Sequence, residues 1–289
     1  MGKALLIVDP QNDLVRKEGM SIPQSAEALE KIAEKISNNK GDIEKIYVTL
    51  RSYQPLHIAF PSFWKQELEP FSKITQENAR KTPPKDKNLK KYCLKYIEDV
   101  CEHCIWPEHC IIGTKGHAVY SKLNEALQEW CKHQKNTVEY IYKGKNPLTQ
   151  AYSALRAVKE VEEDQKAGIK ADSSTALDQA LLEALGGFNE IVVCGLGSNV
   201  GISATLDDLE SLKSQITVLK DVSPAFPFPT TPDFTEFGGI EGKGFMMKGV
   251  EEVFPPKAVE PEQAPEQNEG GNEGGEKAPA DSGGCCIII

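Results

Sequence analysis

Val193-Cys194-Gly195-Leu196-Gly197-Ser198-Asn199-Val200-Gly201-Ile202 reads as the end of a strand, a glycine-bent turn and the start of a helix. Residues 190–194 form a short, β-branched apolar run bounded by glycines, the pattern of a buried strand. Gly195 and Gly197 allow a tight turn, and apolar residues then recur at helical spacing from 202 to 212. In a parallel α/β sheet, ligands sit at such a strand-to-helix junction, where the first N–H groups of the helix are free to meet negative charge. A thiol at position 201 would stand at that helix start, where its pKa falls. The residue there is glycine, which carries no nucleophile.

Working outward, residues 3–8 read as a first strand, with Asp9 at its carboxyl end and Pro10-Gln11-Asn12-Asp13 breaking into a loop. Residues 25–37 have helical period, with Ser25 the predicted N-cap. Further strands are predicted at 46–50, 138–142 and 215–222. A polar, Lys/Glu-rich helical stretch is predicted after Tyr152, and an amphipathic helix over 175–185. Strands alternating with helices predict an α/β fold, a parallel sheet with helices on both faces. Asp9, Lys143 and Gly201 fall at or just beyond the carboxyl ends of separate strands, and that convergence marks a site. Taken singly, an Asp before Pro is a turn residue and a Lys after a strand is a solvated one.

The chain has 289 residues and a formal net charge of −10. That acidity argues against nucleic acid as a partner, since phosphate binding needs clustered Lys and Arg. No leader is expected, because the apolar start runs straight into Asp9-Pro10. Eight Cys without a secretion signal read as reduced thiols. Residues 60–96 are charged, Pro-interrupted and Lys-rich, which predicts a surface insertion spanning about 58–105 within a domain of residues 1–254. Cys93, Cys101, Cys104 and Cys110, with His103 and His109, contain one C-x-x-C unit; helical period favours small core thiols over a zinc knuckle.

Several stretches together resemble the nicotinamidase/isochorismatase-like hydrolases, the cysteine hydrolase superfamily. They are Leu6-Ile7-Val8-Asp9-Pro10-Gln11-Asn12-Asp13, Trp106-Pro107-Glu108-His109-Cys110 with Gly113-Thr114-Lys115-Gly116, Lys143-Gly144 with Tyr152-Ser153-Ala154, and Gly195-Leu196 with Ala204-Thr205. They run in the family's order over residues 3 to 225, and the Trp-Pro-x-His-Cys segment is closest to the nicotinamidase branch. The resemblance implies the isochorismatase-like hydrolase fold. It also implies that Asp9 is the general base and acid, that Lys143 orients it, and that Gly201 stands where the family has its nucleophilic Cys.

By the same resemblance, the N–H groups of Gly197 and Gly201 would form the oxyanion hole. Leu14, Arg51, Tyr53 and Trp106 would line a ligand pocket for a nicotinamide-like molecule or a carboxylate. His57 and His109 match metal ligands for zinc or iron. The family's Asp and intervening His ligands, however, are Arg51 and Tyr53 here. A guanidinium in place of an anionic ligand argues against any metal, so no cofactor is expected; Arg51 is expected instead to recruit an external carboxylate or phosphate. Without the thiol, the thioester route of an amidase is lost. The alternative is a working hydrolase using Asp9 and Lys143 for proton transfer, as in isochorismatases, some of which carry Gly at the Cys position.

Residues 255–284 are rich in Pro, Glu, Gln, Asn and Gly, too polar to bury a core, and are expected to be disordered. The sequence ends Cys285-Cys286-Ile287-Ile288-Ile289, which reads as a prenylation box on Cys286. One lipid gives reversible anchoring and needs a second signal. The acidic tail is no polybasic signal, and Cys285 would supply one by palmitoylation. The expected location is the cytoplasmic face of a membrane in a eukaryotic or host cell. Homo-oligomerisation is left open.

Overall fold

In the computed structural model the described residues are 2–18, 20–133, 136–227 and 243–256. Among them β1 (Lys3–Val8), β2 (Ile43–Arg51), β5 (Val138–Lys143), β6 (Glu190–Gly195), β7 (Ile216–Leu219) and β8 (Met246–Lys248) form one six-stranded sheet. Its order is β5-β2-β1-β6-β7-β8, and every pairing is parallel. Alternate side chains on the strands separate two cores. Leu5, Ile7, Val48 and Val192 meet α2 (Ser25–Asn38) and α4 (Ser121–Lys132) on one face. Ala4, Leu6, Val193 and Val218 meet α5 (Gln179–Gly186) and α6 (Ser203–Asp208) on the other. The predicted α/β class, a parallel sheet covered on both faces, is therefore the observed one.

Three local expectations are corrected. The cap of α2 is Gln24, in the left-handed region at φ 61°, and Ser25 is its buried first residue. The stretch after Tyr152 is not helical; short turns carry it, with a 3₁₀ turn at Ser173–Thr175. There Asp164 accepts from the N–H groups of Lys166 and Ala167, and Asp172 from that of Ser174. Such side-chain bonds offer the backbone a competitor to the helix ladder. Strand β8 went unread because it is three residues long and Met246 is exposed.

The insertion is more than surface decoration. A hairpin of β3 (Lys73–Thr75) and β4 (Glu102–Cys104) and the helix α3 (Lys90–Val100) enclose a third core of Ile58, Trp64, Ile74, Tyr96 and Ile97. Val161 and Ile169, from beyond the predicted boundary at 105, complete it. Cys93 is buried in that core, and burial pushes its thiol up to about 12. Among the described residues no group of three or more His, Cys, Asp or Glu could hold a metal, and no helix is long and apolar enough to cross a membrane.

Residues Met1–Pro256 form one compact unit. Apart from Pro255 and Pro256, the predicted linker 255–284 and the lipidation motif 285–289 lie outside the described residues.

The β1–β6 register leaves no room at Gly195. Its φ is +127°, and a Cβ there would lie 2.2 Å from the Val8 carbonyl oxygen. Gly195→Ala should lower stability in urea unfolding by about 2–4 kcal/mol. Gly41→Ala, with nothing within 4 Å of its Cβ position, should stay within about 0.5 kcal/mol of wild type.

Candidate functional site

Lys143, Arg51 and Gly195 close β5, β2 and β6, and Asp9 follows directly on β1. The chain runs leftward from β1 and rightward through β6, so the site lies at the topological switch point. Asp9 has φ 51°, uncommon for a residue with a side chain. Its N–H is held by Thr49, through the carbonyl at 3.1 Å and the hydroxyl at 3.0 Å. The Thr49 hydroxyl in turn donates to Asp9 Oδ1 at 2.7 Å. Lys143 Nζ lies 3.0 Å from Asp9 Oδ2 and donates to the Tyr152 carbonyl. The Asp–Lys contact implied by the resemblance is thus present.

Arg51 changes what that contact can do. Its Nε donates to Asp9 Oδ2 at 2.8 Å, and both side chains are fully buried. The guanidinium packs beside the rings of Trp106 and Phe226, 5.5 and 5.3 Å from their centroids, within cation–π range, and the two rings meet edge to face at 5.4 Å. Its Nη1 meets His109 Nε2 at 3.4 Å. The carboxylate that Arg51 was expected to recruit is therefore the chain's own.

The expected pocket is likewise filled. Leu14, Tyr53 and Trp106 are buried in one apolar cluster with Phe226, and none of them, nor Arg51, has solvent exposure. A cavity of about 500 Å³ opens along β5 and residues 149–157 and 173–179; Lys143 is part of its lining, whereas Leu14, Arg51, Tyr53 and Trp106 are not.

Gly201 lies in a π-helical turn, Ser198–Ile202, that leads into α6, so the helix read from 202 begins four residues earlier with a wider turn. A Cβ at position 201 would come within 3.1 Å of Asp9 Oδ2 and 3.5 Å of Lys143 Nζ. Position 201 and the Asp9–Lys143 pair thus face each other, with a hydrogen atom in place of a side chain. The Gly197 amide departs from the oxyanion-hole expectation, because it donates to the Pro224 carbonyl at 2.9 Å. Cys194 is no substitute nucleophile: it points into the α2 face of the sheet, and burial raises its thiol well above the ordinary range.

The two histidines do not make a metal site. His109 Nδ1 lies 2.8 Å from the Pro107 carbonyl, which makes it the protonated nitrogen and turns the lone pair of Nε2 toward Arg51. His57 Nδ1 accepts from the Ala59 N–H at 3.1 Å. The Tyr53 ring stands against both imidazoles, with centroids 4.7 Å from His57 and 5.1 Å from His109. Burial drives His57 down to about 3, and burial with the Arg51 charge holds His109 well below its ordinary value. A cation between these rings would meet a fixed guanidinium and a phenol where a zinc site needs a third donor.

Four residues of the site escaped the sequence reading. Gln11 clamps the Arg51 backbone, accepting from its N–H and donating to its carbonyl, both at 2.8 Å. Thr49 interrupts the buried run Ile46-Tyr47-Val48-Thr49-Leu50 of β2 with a hydroxyl, a local signal in the sequence. Phe226 is held by Asn199, whose amide donates to its carbonyl at 3.1 Å and accepts from its N–H at 3.0 Å. Nothing local in the sequence announces that last pair.

Burial alone would raise the Asp9 pKa; Lys143, Arg51 and the Thr49 hydroxyl outweigh it and hold it below 3.8. Burial brings Lys143 down to about 8, with Asp9 opposing and Arg51 adding to the fall. Between pH 8 and 10.5 the unfolded chain keeps a proton that folded Lys143 has released, so stability rises with pH across that window. Lys143→Met should flatten that rise in unfolding measured against pH. Asp9→Asn leaves two buried cations uncompensated at pH 7 and should cost about 3–5 kcal/mol. For Asp9 the sign reverses: its contribution is lost as pH falls through its lowered pKa.

No protein-family model matches the chain. In sequence it is similar to the nicotinamidase of Escherichia coli (strain K12), 22% identical over 220 residues, which are 76% of this chain and 81% of that protein. In structure it is similar to a nicotinamidase/pyrazinamidase of Acinetobacter baumanii, with TM-score 0.60, 17% identity and coverage of 87% and 98% of the two chains. The yeast nicotinamidase bound to the inhibitor nicotinaldehyde matches with TM-score 0.60, 21% identity and coverage of 86% and 99%. A pyrazinamidase of Pyrococcus horikoshii in complex with zinc matches with TM-score 0.52, 18% identity and the same coverage. The chain has the isochorismatase-like α/β hydrolase fold, in the form carried by nicotinamidases and pyrazinamidases.

Proposed function

We propose that this chain is a nicotinamidase-like protein without amidase chemistry, which works through its outer surface while prenylation of Cys286 holds it at a membrane. One observation carries the first part: the buried Arg51 guanidinium fills the space beside Asp9 that a substrate would need. A general base must reach its proton within about 2.6–3.2 Å. Asp9 Oδ1 is taken by Thr49, and Oδ2 by Arg51 and Lys143. Opposite them Gly201 offers no atom to form an acyl link, which the covalent route requires. Burial of Leu14, Arg51, Tyr53 and Trp106 favours partner binding over a small ligand seated among them.

The retained Asp9–Lys143 contact, at 3.0 Å, favours the second reading, a hydrolase working by proton transfer alone. That reading needs Arg51 to leave its ion pair during turnover.

Purified full-length protein should release ammonia from nicotinamide no faster than buffer, and should hold no stoichiometric zinc or iron by elemental analysis. Gly201→Cys alone should stay at background, since its Cβ crowds Asp9 and Arg51 remains in place. Brisk deamidation by the wild-type chain would overturn the reading. For a mature chain ending at Ile289, Cys286→Ser should move the protein from the membrane to the soluble fraction of a eukaryotic cell. Unchanged membrane recovery would remove the tether.

A further inference from the structure

Six cations, Arg80, Lys81, Lys85, Lys87, Lys90 and Lys91, fall in the twelve residues 80–91 beside a single acid, Asp86, in a chain of net charge −10. All six are exposed. None of them takes part in the ion pairs found within 4.0 Å among the described residues. The carboxylate of Asp86 turns back to accept from the Asn88 N–H at 2.9 Å, at the entrance to α3.

The segment is pinned on both sides. Lys85 N–H donates to the Phe63 carbonyl and Lys65 N–H to the Pro83 carbonyl, each at 3.0 Å. Below it, a crevice lined by Trp64, Ala79, Pro84, Lys90 and Ile97 seats the 79–84 turn against the first turns of α3. Arg80, Lys81, Lys85 and Lys87 thus lie on a pinned segment that leads into the helix start at Lys90 and Lys91, whose own dipole adds positive potential. Lys91 also borders a cleft lined by Glu160, Glu162, Glu163 and Asp164. Six like charges on a rigid scaffold repel one another and stabilise nothing within the fold. Their physical use is attraction to a surface of opposite sign.

We propose that residues 80–91 are a polybasic face that docks the folded domain onto an anionic phospholipid leaflet. This deepens the membrane reading above and rests on it for the choice of partner. A prenyl chain needs a second signal, and an acidic tail cannot supply a basic one; a basic face on the domain does. Single-stranded nucleic acid would need exposed rings for base stacking, and the aromatics of the insertion core, Phe63, Trp64, Tyr92 and Tyr96, are buried.

The test uses the full chain made in a prenylating eukaryotic host, and its Cys286→Ser form. Each is sedimented with vesicles of phosphatidylcholine alone and of phosphatidylcholine mixed with phosphatidylserine. Phosphatidylserine should strengthen binding of both forms, and salt should weaken it. Lys85→Glu/Lys87→Glu/Lys90→Glu should lower that gain by on the order of 100-fold at low salt. Lys115→Glu/Lys213→Glu/Lys220→Glu, an equal charge change on exposed lysines elsewhere, should keep it. A 85/87/90 variant that keeps the full gain overturns the assignment. So does tighter binding of the Cys286→Ser chain to single-stranded RNA than to the serine-containing vesicles. If the two forms bind phosphatidylcholine equally, the prenyl tether fails, and the phosphatidylserine gain of the Cys286→Ser chain still decides the face.

Discussion

A buried carboxylate must be compensated, and in this fold Asp9 has two cations contending for it. Lys143 alone would leave one lone-pair direction of Oδ2 open to a substrate or water. Arg51 closes it with an Nε–H at 2.8 Å and packs its planar head against the rings of Trp106 and Phe226. Removing either partner of such a pair is costly, although the pair as a whole adds little over a well-packed apolar core. The arrangement is therefore better described as locked than as stabilising. The lock extends outward: Gln11 fixes the Arg51 backbone, His109 presents a lone pair to the guanidinium, and Asn199 holds Phe226 against it.

The substitutions at positions 51, 53 and 201 read as one change once they are placed in space. A cation at 51 excludes a divalent metal and satisfies Asp9. A phenol at 53 fills the gap between the two imidazoles that flank it. Glycine at 201 withdraws the side chain that would otherwise press on the same carboxylate oxygen. Arg51 Nη2 and the Tyr53 hydroxyl nonetheless lie buried with no hydrogen-bond partner among the described residues, so polar capacity is left over at this centre.

Much of this was legible in the sequence because it depends on local pattern. The strand-turn-helix of 190–202, the strand starting at Lys3 and the helix 25–38 announce themselves by apolar spacing and glycine, and they fix the sheet. Asp9, Lys143 and Gly201 were placed by standing at strand ends, a property of topology rather than of side chains. What stayed hidden depends on long-range packing. The sequence can show that Arg51 carries the wrong charge for a metal ligand. It cannot show that the guanidinium turns inward to Asp9, since this depends on Trp106 and Phe226, 55 and 175 residues further on, closing over it. The failed helix after Tyr152 is the converse case: charge spacing suggested a helix, and two aspartates bonding their own backbone decided otherwise.

Positive charge is handled in two opposite ways within this chain. In the core, Arg51 and Lys143 converge on one carboxylate, and burial brings Lys143 down to about 8. On the insertion, six cations are held together with no acid paired to them. The first arrangement uses charge to close a cavity, and the second leaves charge available to whatever approaches. In an acidic protein a local concentration of positive charge favours one approach to an anionic leaflet, because the acidic surface around it is repelled. On the proposed reading, the strand-end residues serve packing and the surface that acts lies on the insertion.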